Sequence, residues 1–136
     1  MISNLKFFSF FLICLLSTAN VSAKETLDYG GISIKAELVT LNKFTNKLLL
    51  KTNIQIKFSN FVLSGDSAIL SYNEEKLVVN GSPASMLSKN GSINGVANQF
   101  IIYPNLSMEM LGDAQLLQQD QSIYAEQITY QISPNE

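Results

Sequence analysis

Apolar and polar residues alternate over short stretches after residue 30, and no helical periodicity stands out there. Polar clusters typical of turns separate these stretches about every 14 to 16 residues. The clusters lie at residues 44–47, 58–60, 73–75, 88–91, 104–105 and 119–121. Short alternating runs with regularly spaced turns predict an all-β protein built from consecutive hairpins.

A short motif recurs along the chain, starting at residues 34, 63, 93 and 123, with spacings of 29, 30 and 30 residues. Each copy begins with a large aliphatic residue, and Ala or Gly stands two positions after it, with one residue between them. In three of the four copies an acid comes next: Glu37, Asp66 and Glu126. Repetition at a fixed period predicts one supersecondary unit stacked on itself.

The apolar phase changes in the middle of the predicted strands. Ile123 and Ala125 share one parity, whereas Ile128 and Tyr130 share the other. One extra residue in a strand allows it to bend while its apolar side chains stay on the inner side, and a small residue fits where backbones crowd at the corner. We expect such a phase change in both arms of every hairpin. The sequence therefore predicts seven bent strands between about residues 32 and 132, in repeats of about 30 residues. Together they form an open, V-shaped antiparallel β-jellyroll.

Two rows of apolar residues are predicted to line the inner face of this folded sheet. One contains Ile34, Leu63, Ile93 and Ile123, and the other contains Leu41, Leu70, Phe100 and Tyr130. The end strands, near residues 32–41 and 122–132, are predicted to be unpaired edges, which are common sites of strand addition. Each inner residue could equally fill a closed core, and that alternative stays open at this stage.

The first 23 residues have the layout of a secretory signal peptide. A weakly basic start precedes the apolar run 7–16, and small residues ending at Ala23 form a cleavage site. The run is shorter than the roughly 20 residues of a membrane helix. An uncleaved anchor is the alternative. The folded domain is predicted to span residues 24–136.

Residues 24–136 contain no histidine, cysteine, tryptophan or arginine. This composition argues against nucleophilic catalysis and transition-metal sites, and it leaves no disulfide to stabilise the fold. We therefore predict that the protein is not an enzyme. A calcium site or an acid/base pair built from Glu37, Asp66 and Glu126 is disfavoured, because like charges one strand apart repel; we expect these side chains to face solvent or to accept hydrogen bonds at the corners.

Charge is distributed unevenly along the chain. Residues 24–89 carry eight lysines and six acids, whereas residues 90–136 carry five acids and no lysine. A nucleic-acid-binding protein needs a concentrated basic face, so no nucleic acid is expected as a partner. The asymmetry is explained either by drift on solvated faces or by one end of the molecule meeting the opposite end of a second copy.

The segments "GISIKAELVTLNKFTNKLLLKTNIQIKFSNFVLSGDSAILSY", "GSPASML" and "INGVANQFIIYPNLSMEMLGDAQLLQQDQSIYAEQITYQI" resemble the OstA-like family of lipopolysaccharide-transport proteins. This family includes LptA, LptC and the N-terminal domain of LptD, and the chain is most similar to LptA. The resemblance covers about residues 30–132. Thr52 stands where the family's return motif usually has glycine, which predicts a shallower first corner.

The resemblance implies a periplasmic protein that binds the lipid A acyl chains of lipopolysaccharide and assembles head to tail into a bridge. The partners implied are an LptC-like inner-membrane component and an LptD-like outer-membrane component, with no cofactor and no metal. Without arginine, binding of the phosphates would depend on lysines, such as Lys35, Lys43, Lys47, Lys51 and Lys57. An LptC-type anchored role and a secreted structural module with a closed core are the alternatives.

The candidate site consists of the groove lining and the two edges. The predicted groove residues are Ile34, Leu41, Ile54, Ile56, Leu70, Met86, Phe100, Met108, Leu116, Ile128 and Tyr130. The predicted edge residues are Ile32, Ile34, Ile123, Ala125 and Ile128.

Overall fold

The structure is a computed structural model that describes residues 25–104 and 107–131. The predicted signal peptide lies outside the described residues. Within them, β-strand is the regular secondary structure, and no helix is long and apolar enough to cross a membrane. The strands are β1 (Glu25–Tyr29), β2 (Ile32–Ala36), β3 (Leu38–Asn42), β4 (Lys47–Phe58), β5 (Phe61–Ser71), β6 (Lys76–Ser88), β7 (Ile93–Tyr103), β8 (Ser107–Gln118) and β9 (Gln121–Gln131).

All nine strands form one antiparallel sheet in the order β1-β2-β4-β5-β6-β7-β8-β9, with β3 also paired to β4. β2 and β3 are two arms of a single bent strand, since both pair with β4 and only Glu37 separates them. The Glu37 N–H donates to the Thr52 carbonyl across the bend, at 3.1 Å. The prediction of seven bent strands is therefore confirmed for this part of the chain. β1 is an additional strand that the repeat did not reveal.

Every bent strand has its corner at a register shift in the ladder. Opposite the single residue Asp66 of β5, for example, β4 inserts Thr52 and Asn53. The Glu126 corner of β9 lies opposite Gly112 and Asp113 of β8 in the same way. An extra residue on one strand of a pair bends that strand and increases its twist. The corners of all the strands together fold the sheet along one line.

The corners divide the sheet into two halves. Half A comprises β1, β2 and the arms 54–58, 61–65, 84–88, 93–97, 114–118 and 121–125. Half B comprises β3 and the arms 47–51, 67–71, 76–80, 99–103, 107–111 and 127–131. We call the end of an arm farthest from its corner the tip.

The two halves fold over each other with their tips offset. The Tyr29 ring at the tip of β1 meets Tyr72, which follows β5, with centroids 5.7 Å apart. Phe61, at the half-A tip of β5, meets Tyr130 of β9 at 5.9 Å. A tip of half A therefore faces a tip of half B that lies three to four strands further along the sheet, as expected for a strongly twisted sheet.

The prediction that both arms of each hairpin change phase was wrong for β4 and β8. In β4 the buried residues Leu50 and Ile54 share one parity, and in β8 Met110 and Ala114 do the same. The reason is that these strands insert two residues at their corners, which restores the original parity, whereas the corner of β9 contains one residue and reverses it.

Candidate functional site

The inner face of the folded sheet is built from registered rows of apolar side chains. Directly opposed residues of an antiparallel pair share a face, so the pairing identifies each row. In half A one row contains Leu27, Ile34, Ile56, Leu63, Met86, Gly95, Leu116 and Ile123. In half B a tip row contains Leu41, Leu48, Leu70, Leu77, Ile102, Met108 and Tyr130. A second half-B row contains Val39, Leu50, Ala68, Val79, Phe100, Met110 and Ile128.

Two members of the predicted rows were placed wrongly. Gly95, not Ile93, occupies the position beside Met86, and Ile102, not Phe100, occupies the position beside Leu77. The spacing of 30 residues put the third motif two residues too early. The β6–β7 turn has four residues, 89–92, whereas the β4–β5 turn has two, which shifts β7 by two residues without changing its face.

All of the predicted groove residues lie on the inner face, but most of them are not exposed. Eight are no more than 3% accessible: Ile34, Ile54, Ile56, Leu70, Met86, Phe100, Met108 and Leu116. Ile128 is buried at 9%, and Tyr130 is half-buried. The inner faces of the two halves pack against each other, because apolar surfaces without another partner are excluded from water together. The lining that the sequence predicts as an open groove is a packed core over most of its length.

Among the described residues, the inner rows have exposed members at the two ends of the sheet. Leu41 on β3 is 50% accessible and Ile123 on β9 is 46% accessible, although both belong to inner rows. The offset between the halves explains both values. β3 of half B and the half-A arm of β9 extend past the opposite half, so Leu41 and Ile123 are left partly uncovered.

The methionines give the interior its most adaptable region. A Cβ atom built on Gly95 would lie 3.0 Å from Met110 Cε and 3.3 Å from Met86 Cε, so both thioethers lie over this glycine. Met108 is fully buried as well. Methionine side chains are unbranched and change rotamer readily, so this part of the core can change shape with less strain than one built from branched residues.

The two edges of the sheet differ from the prediction. β9 pairs only with β8 within the described residues, and its Ile123 and Ala125 are exposed, whereas Ile128, the third residue predicted for this edge, is buried. The N-terminal edge is not formed by Ile32 and Ile34, because β1 pairs with β2 and covers both residues. Sequence reasoning missed β1, since its five residues lie before the first motif. Within the described residues, the unpaired N-terminal edges are therefore β1 in half A and β3 in half B.

Charged groups lie outside the interior. No charged side chain is among the buried residues of the described chain. Lys35, Lys51 and Lys57 alternate with buried neighbours and so point to the outer face, away from the lining. The corner acids Glu37, Asp66 and Glu126 are exposed as predicted, and Glu37 accepts a hydrogen bond from Asn53 Nδ2 at 2.9 Å.

Two titrating groups at the tips of half B have shifted pKa values. A hydrogen bond and charge attraction from Lys76, with Nζ 3.1 Å from the carboxylate, lower the pKa of Glu74. Partial burial raises the pKa of Tyr103, and the nearby Glu109 carboxylate, 3.3 Å from its hydroxyl, raises it further. Neither group belongs to the apolar rows of the inner face.

Comparison of the sequence and the fold with known proteins identifies the family. Residues 33–136 match the family described as LptA/(LptD N-terminal domain) LPS transport protein. No curated protein matches the sequence. The fold is similar to the crystal structure of LptH from Pseudomonas aeruginosa, described as the LptA homologous periplasmic component of the conserved lipopolysaccharide transport device. That match has a TM-score of 0.63 and 16% identity, and it covers 73% of this chain and 74% of LptH. Since the family match extends over most of the chain, the protein belongs to the LptA and LptD N-terminal domain family of lipopolysaccharide transport proteins.

Proposed function

We propose that the protein is a periplasmic lipopolysaccharide-binding transport protein, one unit of a head-to-tail bridge that carries lipopolysaccharide from the inner to the outer membrane. The observation that carries the proposal is the continuous apolar inner face, which runs across every strand and ends in exposed side chains at both edges. The family match supports the transport role. The partners proposed are an LptC-like component at one end and an LptD-like component at the other.

Lipid binding would require the two halves to separate, because the lining is packed in the structure described here. Burial of each methylene group of an acyl chain contributes about 0.8 kcal/mol. These contacts are non-directional, so they suit a site that must hold a lipid and later release it. Separation would break the ring contacts of Tyr29 with Tyr72 and of Phe61 with Tyr130 at the tips.

Assembly would join the β9 edge of one copy to the N-terminal edge of the next. The exposed inner residues at the two ends, Ile123 and Leu41, would then be covered, which extends the apolar face from copy to copy. The charge asymmetry of the sequence supports the same arrangement. The lysines lie in the first two-thirds of the chain, and all the charged side chains of the last third are acidic.

A photo-crosslinking amino acid at Leu41 or Ile123 tests both parts of this proposal in living cells. These positions are on the inner face yet half exposed, so the probe does not disrupt the core. The matched control is Phe44, which is fully exposed in the β3–β4 turn. We expect lipopolysaccharide adducts and dimer adducts at Leu41 and Ile123 but not at Phe44.

The burial of most of the lining favours one alternative, a secreted structural module with a closed core and no lipid ligand. Absence of lipopolysaccharide adducts at both test positions would support that alternative and contradict the transport proposal. An LptC-type anchored protein is the other alternative. The mature N-terminus distinguishes it: sequencing should find cleavage after Ala23 if the bridge role is correct and a retained apolar run 7–16 if it is not.

A further inference from the structure

The β6–β7 turn borders a cavity of about 400 Å³ at the tips of half A. Its lining residues are Asn60, Phe61, Ser88, Lys89, Asn90, Ser92 and Ile93. Phe61 also meets Tyr130 of β9, the last strand of half B. No described residue of half B lines the cavity, and Phe61 connects the cavity to the contact between the two halves.

The turn that forms this cavity is held in one conformation by its own hydrogen bonds. Asn90 Oδ1 accepts from Ser88 Oγ at 2.8 Å, from Ser92 N at 3.0 Å and from Ser92 Oγ at 2.7 Å. Ser88 Oγ accepts from the Ile93 N–H at 3.0 Å, and the Lys89 N–H donates to the Asn60 carbonyl at 2.8 Å. Four of these bonds lie within residues 88–93, and the fifth joins the turn to Asn60 in the neighbouring β4–β5 turn, so the rim is preorganised before any ligand arrives.

The lining combines hydrogen-bond donors with an apolar floor. Lys89 supplies an ammonium group, and the side-chain amides of Asn60 and Asn90 supply neutral donors. Phe61 and Ile93 supply the apolar surface. No lining residue is acidic, and neither of the two ion pairs in the described part of the chain involves Lys89. The charge and polarity of this rim are complementary to an anionic group attached to an apolar chain.

A second cavity provides a contrast within the same molecule. It has a volume of about 200 Å³ and lies between the halves, lined by the β1–β2 turn and the ends of β4 and β7. Its lining residues are Gly30, Gly31, Ile32, Phe58, Ser59, Ile102, Tyr103 and Pro104. None of these carries a cationic side chain, so this cavity has no group that would select a phosphate.

We propose that the cavity at the β6–β7 turn binds the phosphorylated sugar head of a glycolipid, with Lys89 and the two asparagine amides on the phosphate and the first part of an acyl chain on Phe61 and Ile93. This inference rests on the proposed function and deepens it, because it assigns the head group to one end of half A. Lys89 is not among the lysines predicted from the sequence to bind phosphate, and three of those, Lys35, Lys51 and Lys57, point to the outer face.

The test compares Lys89→Glu with the matched control Lys51→Glu. Lys51 is likewise exposed but lies on the outer face, away from the lining, and its substitution changes the net charge by the same amount. The full mature chain is titrated with bis-phosphorylated lipid A and, separately, with dephosphorylated lipid A, and inorganic phosphate is tested as a competitor. Melting curves check that each variant is folded.

We expect Lys89→Glu to weaken binding of the phosphorylated lipid about tenfold, the loss of one charge-assisted contact, and to leave the dephosphorylated lipid unaffected. Lys51→Glu should bind both lipids as the wild type does. Unchanged affinity of Lys89→Glu for the phosphorylated lipid would overturn the inference, as would an equal loss for both lipids.

Tight competition by inorganic phosphate, without any preference for the phosphorylated lipid, would identify a free-phosphate site and also overturn it. Failure of the wild type to bind either lipid would refute the proposed function, and this inference with it.

Discussion

Thr52 occupies a backbone conformation that β-branched residues avoid. Its φ angle is 69°, and that of Asn53 is 53°, at the corner of β4. The equivalent corner of β8 has Gly112 at 82° and Asp113 at 47°. The first corner therefore has the same left-handed pair of residues as the glycine-containing one, although Thr52 stands in place of the glycine. The threonine adopts the conformation that a glycine would adopt without strain.

We predict that Thr52→Gly stabilises the protein. The left-handed backbone conformation costs a non-glycine residue about 1–2 kcal/mol, and a β-branched side chain increases this cost. Glycine in turn costs about 0.5–1 kcal/mol through the greater freedom of the unfolded chain. The side chain of Thr52 is exposed, and its carbonyl bond to Glu37 N involves only the backbone, so little else is lost. The expected net gain is about 0.5–1 kcal/mol.

Urea unfolding followed by circular dichroism measures this change. The urea concentration at the midpoint should rise, and the slope of the unfolding free energy against urea concentration should not change, since the surface exposed on unfolding stays the same. A gain of this size corresponds to roughly 2–6 °C in melting temperature for a domain of this length. Ser67→Gly is the matched control, because Ser67 lies beside the next corner in β5 without a positive φ angle. It should lose about 0.5–1 kcal/mol. If Thr52→Gly were neutral or as destabilising as Ser67→Gly, the strain assigned to Thr52 would be wrong.

Three further predictions concern packing and pH. Gly65→Ala should destabilise the fold by about 1–3 kcal/mol, because its Cβ would lie 2.6 Å from Val79 Cγ1 and 2.8 Å from the Asn80 carbonyl oxygen; a melt as stable as that of Ser64→Ala would contradict this. Leu70→Asp should cost at least about 3 kcal/mol, because it buries an unpaired charge, whereas Leu41→Asp in the same row should cost less than about 1 kcal/mol; equal losses in urea would show that the row is not covered as described. Because the raised pKa of Tyr103 means that the folded state holds this proton more tightly, the stability from this group is complete below about pH 10 and is lost as the pH rises through the raised pKa. Tyr103→Phe should therefore lose less stability than the wild type between about pH 9 and 11, and parallel curves for the two proteins would exclude the effect.

The sequence was informative wherever a side-chain pattern determines the structure. Alternation identified the inner residues correctly, and all the groove residues, Leu41 included, lie on the inner face. The small residue and acid at positions such as Ala125 and Glu126 located the corners. Register was predicted less well, because it depends on turn length, and the four-residue β6–β7 turn displaced Ile93 and Phe100 from their expected rows.

Burial and edges could not be obtained from the pattern. An apolar inner residue has the same sequence signature whether the opposite half covers it or leaves it exposed, so Leu70 and Leu41 look equivalent until the offset between the halves is known. β1 has only five residues and lacks the repeated motif, so its sequence did not predict a strand that covers Ile32 and Ile34. The cavity beside Lys89 depends on the conformation of one turn, which hydropathy does not encode.

The N-terminal edge of the sheet has a step, and this step affects any joint formed there. β1 extends half A one strand beyond β3, whereas β9 forms the opposite edge of both halves with one strand. If β9 of another copy pairs with β1, the half-B arm of that β9 lies two strand spacings from β3. This distance is about 9.6 Å, whereas hydrogen-bonded strands lie about 4.8 Å apart. Such a joint would be hydrogen-bonded along half A alone, and the bonded half would act as a hinge between the two copies. Successive copies could then swing about the bonded half, so a line of them would flex in one preferred direction rather than behave as a rigid rod.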